Sequence, residues 1–152
     1  MKTVIIQLIT SFFGSLGFAV IFNLRKKYII PASIGGVVCW GAYLSLTLVG
    51  NGIFLPTLVA AAVAALYAEI LARILKVPTT VIFISAIIPL IPGSSLFYTM
   101  SSVVSGDIVQ FQKYGINTIL YVLGIASGIS IVSSLWYMIQ KMYGAFVKKN
   151  DC

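Results

Sequence analysis

Five long apolar runs, divided by short polar or basic breaks, leave this sequence few ways to fold. A helix that crosses a bilayer needs about 20 mostly apolar residues, and runs of that length begin near residues 3, 28, 53, 79 and 117. Five crossings use up most of the 152 residues. With 60% of the residues hydrophobic and a mean hydropathy of +1.07, the chain has more apolar surface than a small water-soluble core could hide. The sequence therefore predicts an all-α fold: a polytopic transmembrane helical bundle of about five spans, residues 1–152 forming a single integral-membrane domain whose solvent is the lipid bilayer.

The net charge of +7 would suit nucleic acid if the basic residues lined one soluble face. They do not: they fall in short clusters between apolar runs, the pattern that orients membrane proteins, so no nucleic-acid partner is expected. Eight of the ten, Arg25, Lys26, Lys27, Arg73, Lys76, Lys141, Lys148 and Lys149, fall on one side of a five-span layout, against Lys2 and Lys113 on the other. The positive-inside rule then places the C-terminus in the cytoplasm and the N-terminus outside. The first run is expected to be a retained helix rather than a signal peptide, because its basic triplet follows it and no small-x-small cleavage site closes it. There is no His, and Cys39 and Cys152 offer neither metal-ligand spacing nor a plausible disulfide, so no metal, cofactor or redox role is expected.

The spans are expected at about 3–22, 28–49, 53–75, 79–104 and 117–138, with Gly50, Asn51 and Gly52 as a turn and a short polar stretch after Gly106 and Asp107. Asp107 itself suits a solvated turn. In the third span Ala60, Ala64, Ala68 and Ala72 recur every fourth residue, and in the fifth Gly124 and Gly128 have GxxxG spacing. Small residues in such stripes let another helix approach closely in lipid. Trp40 lies too deep for the interfacial aromatic belt and is expected to pack. Tyr43, Asn117 and Thr118 could line a path, although polar residues in spans more often bond a neighbouring helix.

The fourth span cannot be a continuous helix. Pro89, Pro92 and Gly93 interrupt it, and Ser94, Ser95, Tyr98 and Thr99 follow. A helix broken inside a bilayer frees backbone donors and acceptors, which is tolerable only where protein or a water-filled cavity satisfies them. A helix restarting near Ser94 would present unpaired N–H groups to a substrate carboxylate, with Gly93 taking backbone angles that other residues avoid. Pro89, Pro92, Gly93, Ser94, Ser95 and Tyr98 are thus the candidate substrate-binding residues; the alternative is a proline kink that only shapes the bundle. Glu69 and Arg73, four residues apart on one helix face, are expected to pair as a structural clamp or as a gate at the cytoplasmic mouth. With three carboxylates and no His, acid-base catalysis has few candidates, and no enzyme is expected.

Several pieces together, Gly17-Phe18-Ala19-x-x-Phe22-Asn23, Gly35 and Gly36 before Trp40, Glu69-x-x-x-Arg73, and Ile88-Pro89-Leu90-Ile91-Pro92-Gly93 with Tyr98-Thr99-Met100, resemble the small, five-span subunit of the bacterial threonine/serine exporter family. The resemblance covers nearly the whole chain. It implies export of a small-molecule substrate across the bacterial inner membrane, threonine and serine in some members and dicarboxylates such as succinate in others, together with a larger membrane subunit as partner. Two alternatives stand beside an amino-acid exporter subunit: a dicarboxylate exporter subunit, and a non-transporting scaffold that would hold a larger subunit through the alanine and GxxxG seams.

Overall fold

A computed structural model describes residues 2–50 and 52–150, with side chains through Met142. Asn51 and Cys152 lie outside the described residues, as do the side chains of Lys148 and Lys149. Every described element is a helix: α1 (Lys2–Ile21), α2 (Lys26–Thr47), α3 (Phe54–Leu75), α4 (Thr79–Ile87), a 3-10 turn (Ile88–Leu90), α5 (Gly93–Ser105) and α6 (Ile108–Asn150). Four helices are long and apolar enough to cross a membrane, and α4 with α5 would make a fifth span bent by 58°.

Helices α1, α2 and α3 form successive antiparallel hairpins, α4 packs between α2 and α3, and α6 lies along α3. The turns match the chain's chemistry. Asn23, at φ 53, ends the first hairpin, and Gly50 and Gly52, at φ 82 and 68, make the second; glycine adopts such angles without steric cost. The interior is small-residued, as expected where helices associate by close packing in lipid. Ala60, Ala64, Ala68 and Ala72 are all buried, facing Cys39 and Ala32 of α2 and Ile82 and Leu90 of the broken span. Gly124 and Gly128 of α6 press on the first turns of α3: a Cβ on Gly124 would lie 3.0 Å from the Phe54 carbonyl, and one on Gly128 would collide with the Leu58 carbonyl. Large apolar side chains such as Ile5, Phe13, Ile21, Leu123 and Leu135 are turned outward instead. That arrangement suits a bilayer.

One expectation about the elements needs correcting. The stretch after Asp107 is not a connector, because α6 begins at Ile108 and runs for 43 residues. Gly106, at φ 72, ends α5, and Asp107 then caps α6. Its Oδ1 accepts from the Gln110 backbone N–H at 3.0 Å, while the Gln110 side chain donates to Oδ2 at 2.8 Å. This Asp cap, with both bonds donated by Gln110, satisfies a helix start that polarity alone would assign to a loop.

Candidate functional site

The break in the fourth span follows from its two prolines. Each lacks an N–H, so the ladder cannot run from Ser85 through Ile91. Ile91, before Pro92, is extended (φ −63, ψ 124), as a residue before proline prefers. Pro92 (φ −78, ψ 60) centres a tight turn in which Gly93 N–H donates to the Ile91 carbonyl at 2.8 Å. Helix α5 then starts without a side-chain cap, its first bond running from Leu96 N–H to the Pro92 carbonyl at 3.0 Å. The Ser94 and Ser95 amides are left with no protein acceptor among the described residues.

A cavity of about 300 Å³ opens at this break. The restarting helix contributes Pro92, Ser94, Ser95 and Tyr98; α2 contributes Trp40 and Tyr43, and α6 contributes Tyr114, Asn117 and Tyr121. Five aromatic rings therefore surround it. Trp40 stacks on Tyr43 with centroids 5.1 Å apart, and Tyr98 stacks on Tyr114 at the same distance. The Tyr43 and Tyr121 hydroxyls share a hydrogen bond of 2.8 Å, so one phenolic proton of the pair remains free to donate. Ser95 is partly committed, donating to the Tyr114 carbonyl at 3.3 Å and accepting from Thr118 at 3.1 Å. Ser94 and Asn117 have no side-chain partner among the described residues. No charged side chain lines the cavity.

A family model described as "Threonine/Serine exporter, ThrE" matches residues 7–135. The chain belongs to this exporter family. No curated protein and no solved structure matches it significantly. Membership makes this a multi-pass membrane protein of an exporter family, in keeping with its apolar helices.

Of the candidate substrate-binding residues named from the sequence, Pro89, Pro92, Ser94, Ser95 and Tyr98 border this same cavity. Gly93 starts α5 but does not border the cavity. Its φ is not positive, and a Cβ there would meet nothing within 4 Å, so the expectation that glycine is needed for unusual backbone angles is not met.

Glu69 and Arg73 are not brought together. Among the described residues no ion pair joins them. The Arg73 guanidinium lies over the Trp136 ring at 5.0 Å. With the Gln140 amide oriented so that its oxygen faces them, that oxygen accepts from Trp136 Nε1 at 2.9 Å and from the Arg73 guanidinium. A delocalised cation gains from an aromatic face what an ammonium-like point charge would seek in a carboxylate. Glu69 instead borders a separate cavity of about 290 Å³ with Thr79, Thr80 and Ser133.

The sequence points to two of the five rings, Tyr43 as a residue able to line a path and Tyr98 as a candidate binding residue; Trp40 reads there as packing, and Tyr114 and Tyr121 are not singled out. The signal was present: Tyr114, Asn117 and Tyr121 stand at i, i+3 and i+7, one face of a helix.

Proposed function

We propose that this chain is the membrane subunit of an exporter that moves small carboxylate-bearing metabolites of the threonine/serine type out of the cytoplasm, with the cavity at the Pro92 break as its substrate site. The observation that carries this is the pairing of uncommitted amides at Ser94 and Ser95 with an uncharged wall of aromatic rings and hydroxyls. A carboxylate gains charge-assisted hydrogen bonds from the amides and from the free phenolic proton of the Tyr43–Tyr121 pair. An ammonium is attracted to ring faces and to hydroxyl oxygens. Substrate hydroxyls have Asn117 and Ser94 to bond.

The same lining argues against the dicarboxylate alternative. A second carboxylate needs a second set of donors or a cation, and neither Arg73, held against Trp136, nor Lys113, whose ammonium lies 5.9 Å from the Tyr114 ring centroid, lines the cavity. The scaffold alternative loses its seams, because the alanine stripe and the glycines of α6 are consumed inside the chain itself. The exporter reading also includes a larger membrane subunit as partner, a bacterial inner-membrane location, and an N-terminus outside with a cytoplasmic C-terminus.

Efflux of radiolabelled threonine, serine and succinate from loaded cells with and without this gene tests the proposal. Gene-dependent efflux of threonine and serine, with little of succinate, is the expected result. Efflux that does not depend on the gene overturns it, and a preference for succinate replaces it with the dicarboxylate reading.

A further inference from the structure

Free space at the break does not end at the aromatic cavity. Beyond Trp40 and Pro89 lies a second cavity of about 210 Å³, lined by Gln7, Thr10, Ser11 and Gly14 of α1 and by Ile88. Trp40 and Pro89 are the two residues that border both cavities, and so form the partition between them. The four α1 residues stand at i, i+3, i+4 and i+7, so Gln7, Thr10 and Ser11 form, with Gly14, one stripe along the helix. Polar groups on a spanning helix are expected to face a partner or a water-filled space rather than lipid.

The partition is also where polar groups go unsatisfied. Among the described residues, three buried side-chain atoms lack a hydrogen-bond partner: Ser15 Oγ, Trp40 Nε1 and Ser85 Oγ. Each belongs to a residue that borders a cavity with Pro89, packs on the same glycine as Pro89, or precedes it in the chain. Trp40 forms the wall with it; Ser15 packs against Gly36, whose Cβ would also lie 3.3 Å from Pro89 Cγ; Ser85 stands one helical turn before it. Native interiors pair nearly all such atoms, so each exception calls for a partner that the chain itself does not supply.

The chemistry of the second cavity complements the indole. Thr10 donates to the carbonyls of Ile6 and Gln7 at 3.0 and 2.9 Å, and Ser11 donates to that of Leu8 at 2.8 Å. Their protons are committed, which leaves their oxygens as acceptors. Trp40 Nε1 can only donate. A small zwitterion fits this set, its ammonium toward the α1 hydroxyls and its carboxylate toward the indole N–H, which is buried in this state and is exposed only when the ring tilts.

We propose that the α1 cavity is a second station for the exported solute and that Trp40, held against Pro89, is the gate between the two stations. The inference rests on the exporter reading above and adds a site and a residue to it. The carboxylate passes from the Ser94 and Ser95 amides to the indole N–H, and the ring must tilt away from Pro89 for the solute to cross.

The test uses cysteines placed in each cavity in the full-length protein in membranes: Ser94→Cys in the aromatic cavity and Thr10→Cys in the α1 cavity. Labelling by a small thiol reagent is timed with and without saturating L-threonine. Protection at both positions, severalfold or more, is the expected result. Protection at position 94 alone overturns the second station while leaving the exporter reading intact; protection at neither overturns both. For the gate, Trp40→Phe keeps the ring and removes the donor, and is expected to raise the apparent KM for threonine roughly tenfold, the worth of one hydrogen bond to a charged group. An unchanged KM in a well-expressed Trp40→Phe variant overturns the role of the indole N–H. Because Cys labelling does not depend on that variant, the station stays testable even if Trp40→Phe fails to fold.

Discussion

Arg73 is the residue at which sequence spacing and structure part most clearly. A four-residue offset from Glu69 puts the two on one helix face, but sharing a face leaves the side chain free to choose among everything else that face touches. Here the face meets α6, and the ring of Trp136 wins. A double-mutant cycle on thermal unfolding should therefore show coupling of about 0.5–1 kcal/mol between Arg73→Met and Trp136→Leu. The cycle of Arg73→Met with Glu69→Gln should be additive. Coupling in the second cycle and none in the first would reverse the assignment. Gly93 teaches the same lesson about glycine: a Pro-Gly pair at a break suggests a special backbone angle, yet this glycine is an ordinary first helical residue beside open space. Gly93→Ala should leave efflux unchanged and raise stability by about 0.4–1 kcal/mol, because it lowers the entropy of the unfolded chain. Loss of efflux by a folded Gly93→Ala exporter would put Gly93 itself back among the binding residues.

Among the elements, small-residue spacing was legible and its partners were not. Alanines every fourth residue on α3 announce a close-packed seam, but nothing in the spacing says which helix fills it. The structure turns one alanine row to α2 and α4, while Phe54 and Thr57 meet Gly124 of α6 and Leu58, Ala61 and Ala62 meet Gly128. Both seams therefore hold the chain together. A Cβ on Gly128 would collide with a backbone carbonyl, which cannot swing aside as a flexible side chain could. Gly128→Ala should cost about 1–3 kcal/mol in detergent unfolding, whereas Gly14→Ala, with nothing within 4 Å, should not destabilise. Equal stability of the two variants would mean that α6 is not seated on α3 in this way. Helix α5 hides its logic for a related reason. It buries Thr99 and Ser102 against α6 and leaves Phe97, Met100 and Val104 exposed, so the polar residues after the break serve two uses that the sequence alone does not separate. Ser94 and Tyr98 border the cavity, while Thr99 hydrogen-bonds Thr118 at 3.3 Å.

For the whole molecule, the broken fourth span and the count of about five crossings were readable because bilayer thickness fixes helix length and proline fixes where a helix fails. The packing order, and so the aromatic cavity, was not readable, because it depends on contacts between residues far apart in sequence. Orientation is a property of the same scale. The hairpin order brings Arg25, Lys26 and Lys27 to the end of the bundle where α3 closes with Arg73 and Lys76, and α6, running in the same sense as α3, brings Lys141 there too. Asp107 and Lys113 lie toward the opposite end, at the α5–α6 turn. Retention of basic residues on the cytoplasmic side then predicts that the α5–α6 turn faces outside. In a background with Cys152→Ser, a membrane-impermeant thiol reagent added to intact cells should label Ser105→Cys and leave Lys27→Cys unlabelled until the membrane is permeabilised; Cys39 is buried and should contribute little. The inverse pattern would turn the exporter over, and with it the direction in which a solute meets the two sides of the Trp40–Pro89 partition. Labelling of both positions in intact cells would break the odd number of crossings, since the α4–α5 pair would then be a re-entrant loop and not a span.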